Sequence, residues 1–250
     1  MISVCIATYN GERFIKEQLD SIVCQLSEDD EIIISDDGSS DKTLEIIDSY
    51  NDRRIKVYHH EKDKSLLKIN KLRNFYYTTQ NFENALKNAK GDYIFLADQD
   101  DIWLPNRVKM MLNELNAYDC VMCNLNLIDC DNKVTKYNYF NRNPVPKNLL
   151  MYILKTRILG CCLAFKKQLL NYSLPFPKML LSHDYWLGCI AITKFKFKYI
   201  DVPLHLYRRY DSNVSTTSSK SKNSIFYKVQ YRLNFYFQFR NFVKNKMEDK

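Results

Sequence analysis

The sequence predicts an α/β fold, a mostly parallel sheet flanked by helices and followed by a helical C-terminal tail. Three observations lead to it. Apolar, β-branched runs alternate with stretches of helical period over the first hundred residues, in the order β-α-β-α-β. That order implies parallel strands joined by right-handed crossovers. Two of the strand-like runs then end abruptly in carboxylates, Asp36-Asp37 and Asp98-Gln99-Asp100-Asp101. In open α/β sheets the C-terminal edge of the strands is where ligands bind.

In chain order, residues 2–8 form a first strand, and Thr8-Tyr9-Asn10-Gly11 turns into a helix from about Glu12 to Gln25. Glu31 to Ser35 is a second strand. Ser40 or Asp41 can cap the next helix, Thr43 to Tyr50. Ile55 to His60 is a third strand. Glu61 to Gln80 has no clean period and reads as a surface excursion before a helix over Asn81–Ala89. Tyr93 to Ala97 is the fourth strand, with Gly91 marking its start. Pro105 suits a first helical position, ahead of a stripe of Val108, Met111, Leu112 and Leu115. Asp119 to Asp129 reads as a strand, and residues 131–157 as loop with a short helix. Gly160 to Phe165 reads as a short strand, Ser182 to about Thr193 as a helix, and Lys196–Asp201 and Leu204–Arg208 as two late strands. The Ser/Thr/Lys-rich stretch from Asp211 to Ser224 is expected to be mobile.

Composition narrows the function. With 46% hydrophobic and 26% charged residues, the 250-residue chain can bury a sizeable core. Of its net charge of +8, residues 216–250 carry +6, with eight Lys/Arg against two Asp/Glu. The near-neutral body argues against nucleic-acid binding. The first residues read as a strand rather than a signal peptide, and no apolar run approaches the ~20 residues of a membrane span. The expected compartment is therefore the cytosol. The eight cysteines fit a reduced state. Cys120-Val121-Met122-Cys123 lacks the second ligand pair of a zinc site and alternates like a strand. Glycine is scarce; its five positions, 11, 38, 91, 160 and 188, lie in or beside the segments singled out here.

The chemistry concentrates in the two acidic strand ends, which parallel strands place at one edge. A nucleotide lying across that edge would find Asp37 as acceptor for a base N–H or ribose hydroxyl, framed by Thr8 and Tyr9. The Asp98/Asp100 pair could hold a hard divalent cation such as Mg²⁺ or Mn²⁺ on a diphosphate. A polar turn in which Asp101 starts the next helix is the competing reading of that loop. The sequence has no G-x-x-x-x-G-K-[ST] and no G-x-G-x-x-G, so a cation must replace a glycine-rich phosphate cradle.

At this point the chain resembles the family-two inverting glycosyltransferases of the GT-A fold. Six blocks carry the resemblance, in family order, over residues 2 to about 215. They are Ser3 to Gly11; Ser35-Asp36-Asp37-Gly38-Ser39-Ser40-Asp41-Lys42-Thr43; Gly91 to Trp103; Gly160 to Phe165; His183-Asp184-Tyr185-Trp186; and Tyr207-Arg208-Arg209-Tyr210-Asp211-Ser212-Asn213. The resemblance implies a Rossmann-like domain over 1–215, with a nucleotide-binding half (1–101) and an acceptor half (102–215), followed by the loop and basic aromatic helix of 216–250. It implies that Thr8, Tyr9, Asn10, Asp36, Asp37 and Asp98 hold the nucleotide. Asp100, with Asp98, would bind Mg²⁺ or Mn²⁺, and Asp184 would be the general base. Arg208, Arg209, His183, Trp103 and Trp186 are candidate diphosphate or acceptor contacts. Many relatives have His where this chain has Tyr210. The D-Q-D-D-I-W form is similar to that of relatives that build bacterial surface polysaccharides, O-antigen or capsule, many of them rhamnosyltransferases. The implied donor is a nucleotide-sugar, dTDP-rhamnose or a UDP-hexose, and the implied acceptor a saccharide, free or lipid-linked. Tyr210 prompts the alternative of a nucleotide-sugar- or polysaccharide-binding module without turnover.

If helical, the tail carries two stripes: Ile225, Val229, Leu233, Tyr236 and Val243; and Tyr227, Tyr231, Phe235, Phe239 and Phe242. Lys228, Arg232, Arg240, Lys244 and Lys246 lie between them. Such a helix suits an anionic membrane surface, and residues 221–250 would place the protein on the inner face of the plasma membrane. Packing on the body through one stripe is the other expectation.

Overall fold

The structure, a computed structural model, describes residues 1–63, 72–141, 145–146, 149–154, 158–210 and 225–248. The elements run β1 (Ile2–Thr8), α1 (Ile15–Val23), β2 (Glu31–Asp36), α2 (Thr43–Asp48), β3 (Ile55–His59), α3 (Arg73–Asn88) and β4 (Tyr93–Asp98). They continue with β5 (Ile102–Trp103), α4 (Arg107–Leu115), β6 (Cys120–Ile128), β7 (Val134–Lys136), α5 (Leu149–Leu154) and β8 (Leu163–Lys166). Last come α6 (Lys167–Ser173), α7 (His183–Lys194), β9 (Phe197–Arg208) and α8 (Ile225–Glu248).

The strands form one sheet in the order β3-β2-β1-β4-β8-β6-β9-β5, with β7 paired to β6. The first four are mutually parallel. β8 runs antiparallel to both β4 and β6, β9 runs parallel to β6, and β5 runs antiparallel to β9. Parallel strands need cover on both faces, and β2 is buried along its whole length. The charged residue at its start, Glu31, is satisfied by the Ser3 hydroxyl (2.6 Å), the Lys56 ammonium (2.7 Å) and the Lys90 N–H (2.7 Å). The apolar face of α1, Ile15, Leu19 and Ile22, closes one side of the core.

Three elements differ from the sequence expectation. α3 starts at Arg73, well before Asn81, and the described part of the expected excursion is correspondingly short. Its buried face includes Thr79 and Asn81, whose side chains bond to the carbonyls of Leu181 and Thr8; polar residues in a core-facing stripe hide the helical period. The two late strands are one strand, β9. Its register against β6 shifts around Asn124, and Pro203, which lacks an N–H, sits at that irregularity. The segment 160–162 is a single 3₁₀ turn leading into β8. Cys120 and Cys123 lie an odd number of residues apart on β6, so their side chains point to opposite faces; both are buried free thiols. The stretch expected to be mobile, from Asp211 to Ser224, lies outside the described residues, as do the side chains of Ile225, Tyr227, Lys228 and Val229.

α8 docks on α7 through the second of the two expected stripes. The Trp186 ring meets Phe242, Phe239 and Phe235 edge-on, with centroids 4.8, 5.9 and 6.0 Å away. Tyr185 lies 4.1 Å from Phe235. Leu233 and Phe237 face solvent, and among the described residues no helix is long and apolar enough to cross a membrane.

Gly91 fixes how closely the β4 entry approaches β1. Its N–H donates to Ser3 Oγ (2.7 Å), and a Cβ there would lie 2.6 Å from the Ser3 backbone nitrogen. Backbone cannot swing aside as a side-chain tip can. Gly91→Ala should therefore cost about 3 kcal/mol, read as a lower urea midpoint at unchanged slope.

Candidate active site

Strand register brings three loops level. Thr8 pairs with Asp36 across β1 and β2, and Ala7 pairs with Asp98 across β1 and β4. The loops that follow are tied together by side chains. The Thr8 hydroxyl donates to Asp36 Oδ1 (2.8 Å), and the same carboxylate accepts from the Gly38 and Ser39 N–H groups and the Ser39 hydroxyl. Gly38 takes the positive φ (77°) that this turn requires. Asn10, at φ 48°, accepts from the Ser40 N–H through its side-chain oxygen and donates its own N–H to the Ser39 hydroxyl oxygen. Asp36, Thr8 and Asn10 thus build the edge of the site. Asp37 and Tyr9 remain as the groups oriented by that edge. Asp37 Oδ1 lies 2.6 Å from His60 Nδ1, a residue whose place at the end of the third strand carries no chemical signal of its own. Parallel pairing of β2 with β3 was the available signal for it. Tyr9 is half-exposed, with the Lys62 ammonium over its ring.

The acidic loop follows β4. Burial, with the charges of Asp101, Asp100 and Asp184, raises the Asp98 carboxyl well above the ordinary carboxylate range. Burial and Asp101 push Asp100 up to about 7, although the Tyr210 hydroxyl donates to its Oδ2 (2.7 Å) and favours the anion. Asp101 is fully buried and does not start a helix. Its Oδ2 accepts from His205 Nε2 (2.8 Å) and its Oδ1 from the Arg208 N–H (2.8 Å). His205 Nδ1 faces Arg107 Nη1 (2.8 Å), and since arginine can only donate, Nδ1 is the acceptor and the proton sits on Nε2. Burial also lowers the His205 pKa, consistent with a neutral ring. With both nitrogens used, His205 has no lone pair for a metal, although Cys161, Cys162 and His205 approach within 4.8 Å of one another.

Asp184 is the second residue of α7, two positions after the Ser182 cap. Its Oδ1 accepts from the Ser182 hydroxyl and the Tyr185 N–H (2.7 Å), and its Oδ2 from the Gly160 N–H (3.4 Å). Next to Gly160, Cys161 Sγ lies within 4.8 Å of carboxylate oxygens of Asp98 and Asp101, so one short turn joins Asp184 to the acidic loop. A Cβ on Gly160 would sit 3.0 Å from His183 Nε2 and 3.1 Å from Asp184 Cβ. His183 is buried and stacked on Phe82 (4.0 Å), and burial lowers its pKa.

Three of the expected contact residues are buried against protein groups. Arg208 is 1% exposed and its guanidinium is engaged by its neighbours. Its Nε donates to the Asp100 carbonyl (2.7 Å), its Nη1 to the Asp129 carbonyl (3.2 Å) and Asn132 Oδ1 (2.5 Å), and its Nη2 to Glu17 Oε2 (2.6 Å). Trp186 is fully buried beneath α8, its Nε1 donating to the Ser173 carbonyl (3.2 Å). Trp103 is buried between Phe95 and the Arg107 guanidinium. Both tryptophans serve packing because an indole offers more apolar area than these short segments could otherwise bury. Arg209, one residue beyond β9, lies on the opposite side from Arg208, its guanidinium 5.7 Å from the Tyr207 ring.

Four carboxylates share this edge, and two are driven toward protonation by their neighbours. An all-oxygen donor set of that kind fits a hard divalent cation, which would relieve the repulsion. The sign of the pH effect follows. A carboxyl whose folded pKa exceeds its unfolded value keeps a proton that the unfolded chain releases, so stability falls as pH rises from about 4 through about 7. Without metal, the thermal midpoint should fall across that range, and Asp100→Asn should flatten the fall; unfolding scans at a series of pH values check this.

A family model described as glycosyl transferase family 2 matches residues 3–172. The dTDP-rhamnosyl transferase RfbG of Shigella flexneri is 33% identical over 224 residues, covering 83% of this chain and 72% of RfbG. Residues 1–349 of S. aureus TarS, solved in complex with UDP-GlcNAc, superpose with a TM-score of 0.65 at 21% identity, covering 91% of this chain and 64% of that one. The mannosyltransferase PcManGT from Pyrobaculum calidifontis, solved with GDP-Man and Mn²⁺, gives a TM-score of 0.52 at 18% identity, over 83% of this chain and 56% of that one. The chain therefore spans less than two thirds of either solved neighbour. The edge built by Thr8, Asn10 and Asp36, the acidic loop and Asp184 all lie on a fold shared with these proteins, and the chain belongs to glycosyl transferase family 2 and has the GT-A fold.

Proposed function

We propose that this chain is a metal-dependent, inverting glycosyltransferase that moves a sugar from a nucleotide-sugar to a saccharide acceptor. The observation that carries the reading is that Asp37, the Asp98/Asp100 pair and Asp184 come from three separate segments to one sheet edge. Asp37, steadied by His60, and Tyr9 would receive the nucleoside. Asp100 with Asp98 would hold Mg²⁺ or Mn²⁺, which when bound supplies Lewis-acid neutralisation of the departing diphosphate. Asp184 acts as general base. Its Oδ1 is held by Ser182 and Tyr185, whereas the bond from the Gly160 N–H to Oδ2 is long, so Oδ2 is the oxygen that takes the acceptor hydroxyl's proton. The acceptor oxygen bonds to the anomeric carbon as the bond to the phosphate oxygen breaks on the opposite face, and the configuration inverts.

The names of the relatives favour dTDP-rhamnose or a UDP-sugar as donor, and the family resemblance of the block Asp98 to Trp103 favours surface-polysaccharide synthesis as the setting. A lipid-linked acceptor suits peripheral attachment to the inner face of the plasma membrane. The outer face of α8 carries Leu233, Phe237, Arg240 and Lys244 at helical spacing, all exposed. No nucleic acid enters this reading.

Asp184→Asn should lower turnover by about 10²–10⁴-fold and leave nucleotide binding intact. Normal turnover in that variant would reassign the base, and donor binding without turnover in the wild type would favour a silent binding module. The donor itself is read from thermal stabilisation by a panel of nucleotide-sugars with and without Mn²⁺. For the tail, replacing Leu233 and Phe237 together by Glu should release the protein from vesicles containing anionic lipid. Undiminished co-sedimentation would place the membrane contact elsewhere.

A further inference from the structure

We infer that Arg208 is a positioning residue that sets divalent-cation affinity through a tether running from Glu17 on α1 to the backbone of Asp100. The inference rests on the proposed metal role of Asp100 and adds two residues that touch no substrate in that scheme. The Arg208 guanidinium is buried and draws together three segments that are remote in sequence. At its far end is a closed triangle. Glu17 Oε2 accepts from Arg208 Nη2 (2.6 Å), Glu17 Oε1 accepts from Asn132 Nδ2 (2.6 Å), and Asn132 Oδ1 accepts from Arg208 Nη1 (2.5 Å). Each side chain is fixed by the other two, and the Asn132 amide can satisfy both bonds in one orientation only. Asn132 is presented by a left-handed turn (φ 65°) between β6 and β7, and the Asp129 carbonyl gives the guanidinium another anchor there. The Phe14 ring lies 4.3 Å from the guanidinium carbon and covers it.

At the near end, Arg208 Nε holds the Asp100 carbonyl, and the Arg208 N–H holds the next carboxylate, Asp101. Pinning a peptide oxygen and the following side chain fixes the peptide plane from which the Asp100 carboxylate projects. The Tyr210 hydroxyl then fixes the carboxylate itself. Groups that orient a ligating carboxylate tune affinity without touching the ion. Glu17 is the informative end of the tether because its side chain is 40% exposed and it lies on α1, outside the acidic loop.

The test uses the full chain and Mn²⁺ alone, titrated by the EPR signal of the free ion, beside the thermal midpoint without metal. Glu17→Gln keeps the shape and removes the charge. It is expected to move the midpoint by no more than about 2–4 °C and to weaken Mn²⁺ binding about tenfold. Arg208→Lys, which keeps the charge and loses the fork, is expected to weaken Mn²⁺ binding about 10–100-fold. Wild-type Mn²⁺ affinity in both variants overturns the tether. So does unchanged Mn²⁺ affinity in Arg208→Lys together with a loss of metal-free UDP or dTDP binding, which would return Arg208 to the diphosphate. A wild-type chain that binds no Mn²⁺ overturns the metal reading, and the tether falls with it.

Discussion

Mutual repulsion among Asp98, Asp100, Asp101 and Asp184 is the constraint on which the second half of the structure depends. Negative charges at this density are stable only if the surroundings supply donors or positive charge. The fold answers asymmetrically. Asp101 is neutralised from behind by the His205 and Arg107 relay and by a backbone N–H. Asp184 is stabilised by the donors at the start of α7. Asp98 and Asp100 keep raised carboxyl pKa values, so the unresolved charge stays where a cation would sit. Structural and chemical carboxylates within one four-residue run are therefore separated by their partners, although their residue type is the same.

β9 supplies most of those partners. It pairs with β6 along most of its length and with β5 near its end, and it delivers His205 and Arg208, followed by Tyr210, to the acidic loop. Tyr210 departs from the His that the family resemblance leads one to expect at this position. Its hydroxyl reaches the Asp100 carboxylate and its ring packs 5.1 Å from Phe14, so the phenol is integrated into the site. That integration is compatible with a chain that retains its chemistry.

The parallel half of the sheet and its acidic ends were legible in the sequence because buried parallel strands are continuous apolar runs, and carboxylates interrupt them sharply. The starting point of α3 was not, since its inward face carries Thr79 and Asn81. The roles of Arg208 and the two tryptophans were not legible either. A residue type states what a side chain can do, and only packing decides whether it meets ligand or protein. Arg208 follows the rule that adjacent strand residues face opposite ways, but which face holds the acidic loop depends on β9 lying beside β5, a pairing between residues about a hundred positions apart. Glu17 gave no signal at all, being one of two acidic residues on an amphipathic helix.

Gln99, the middle residue of the acidic triplet, has no place in the chemistry, yet its amide accepts from the Tyr9 N–H (2.9 Å) and donates to the Tyr9 carbonyl (3.1 Å). A primary amide bonded in this way imitates a peptide group of a neighbouring strand. The β1–β4 pairing is thereby prolonged by one rung beyond the point where the backbones part. Gly11 leaves room for it, since a Cβ there would lie 2.5 Å from Gln99 Oε1. The loop that would carry the nucleoside and the loop that would carry the cation are in this sense a single rigid rim. A carboxylate at position 99 could not donate the second bond, and a shorter amide would not span the gap, so the spacer is as chemically constrained as the aspartates on either side of it.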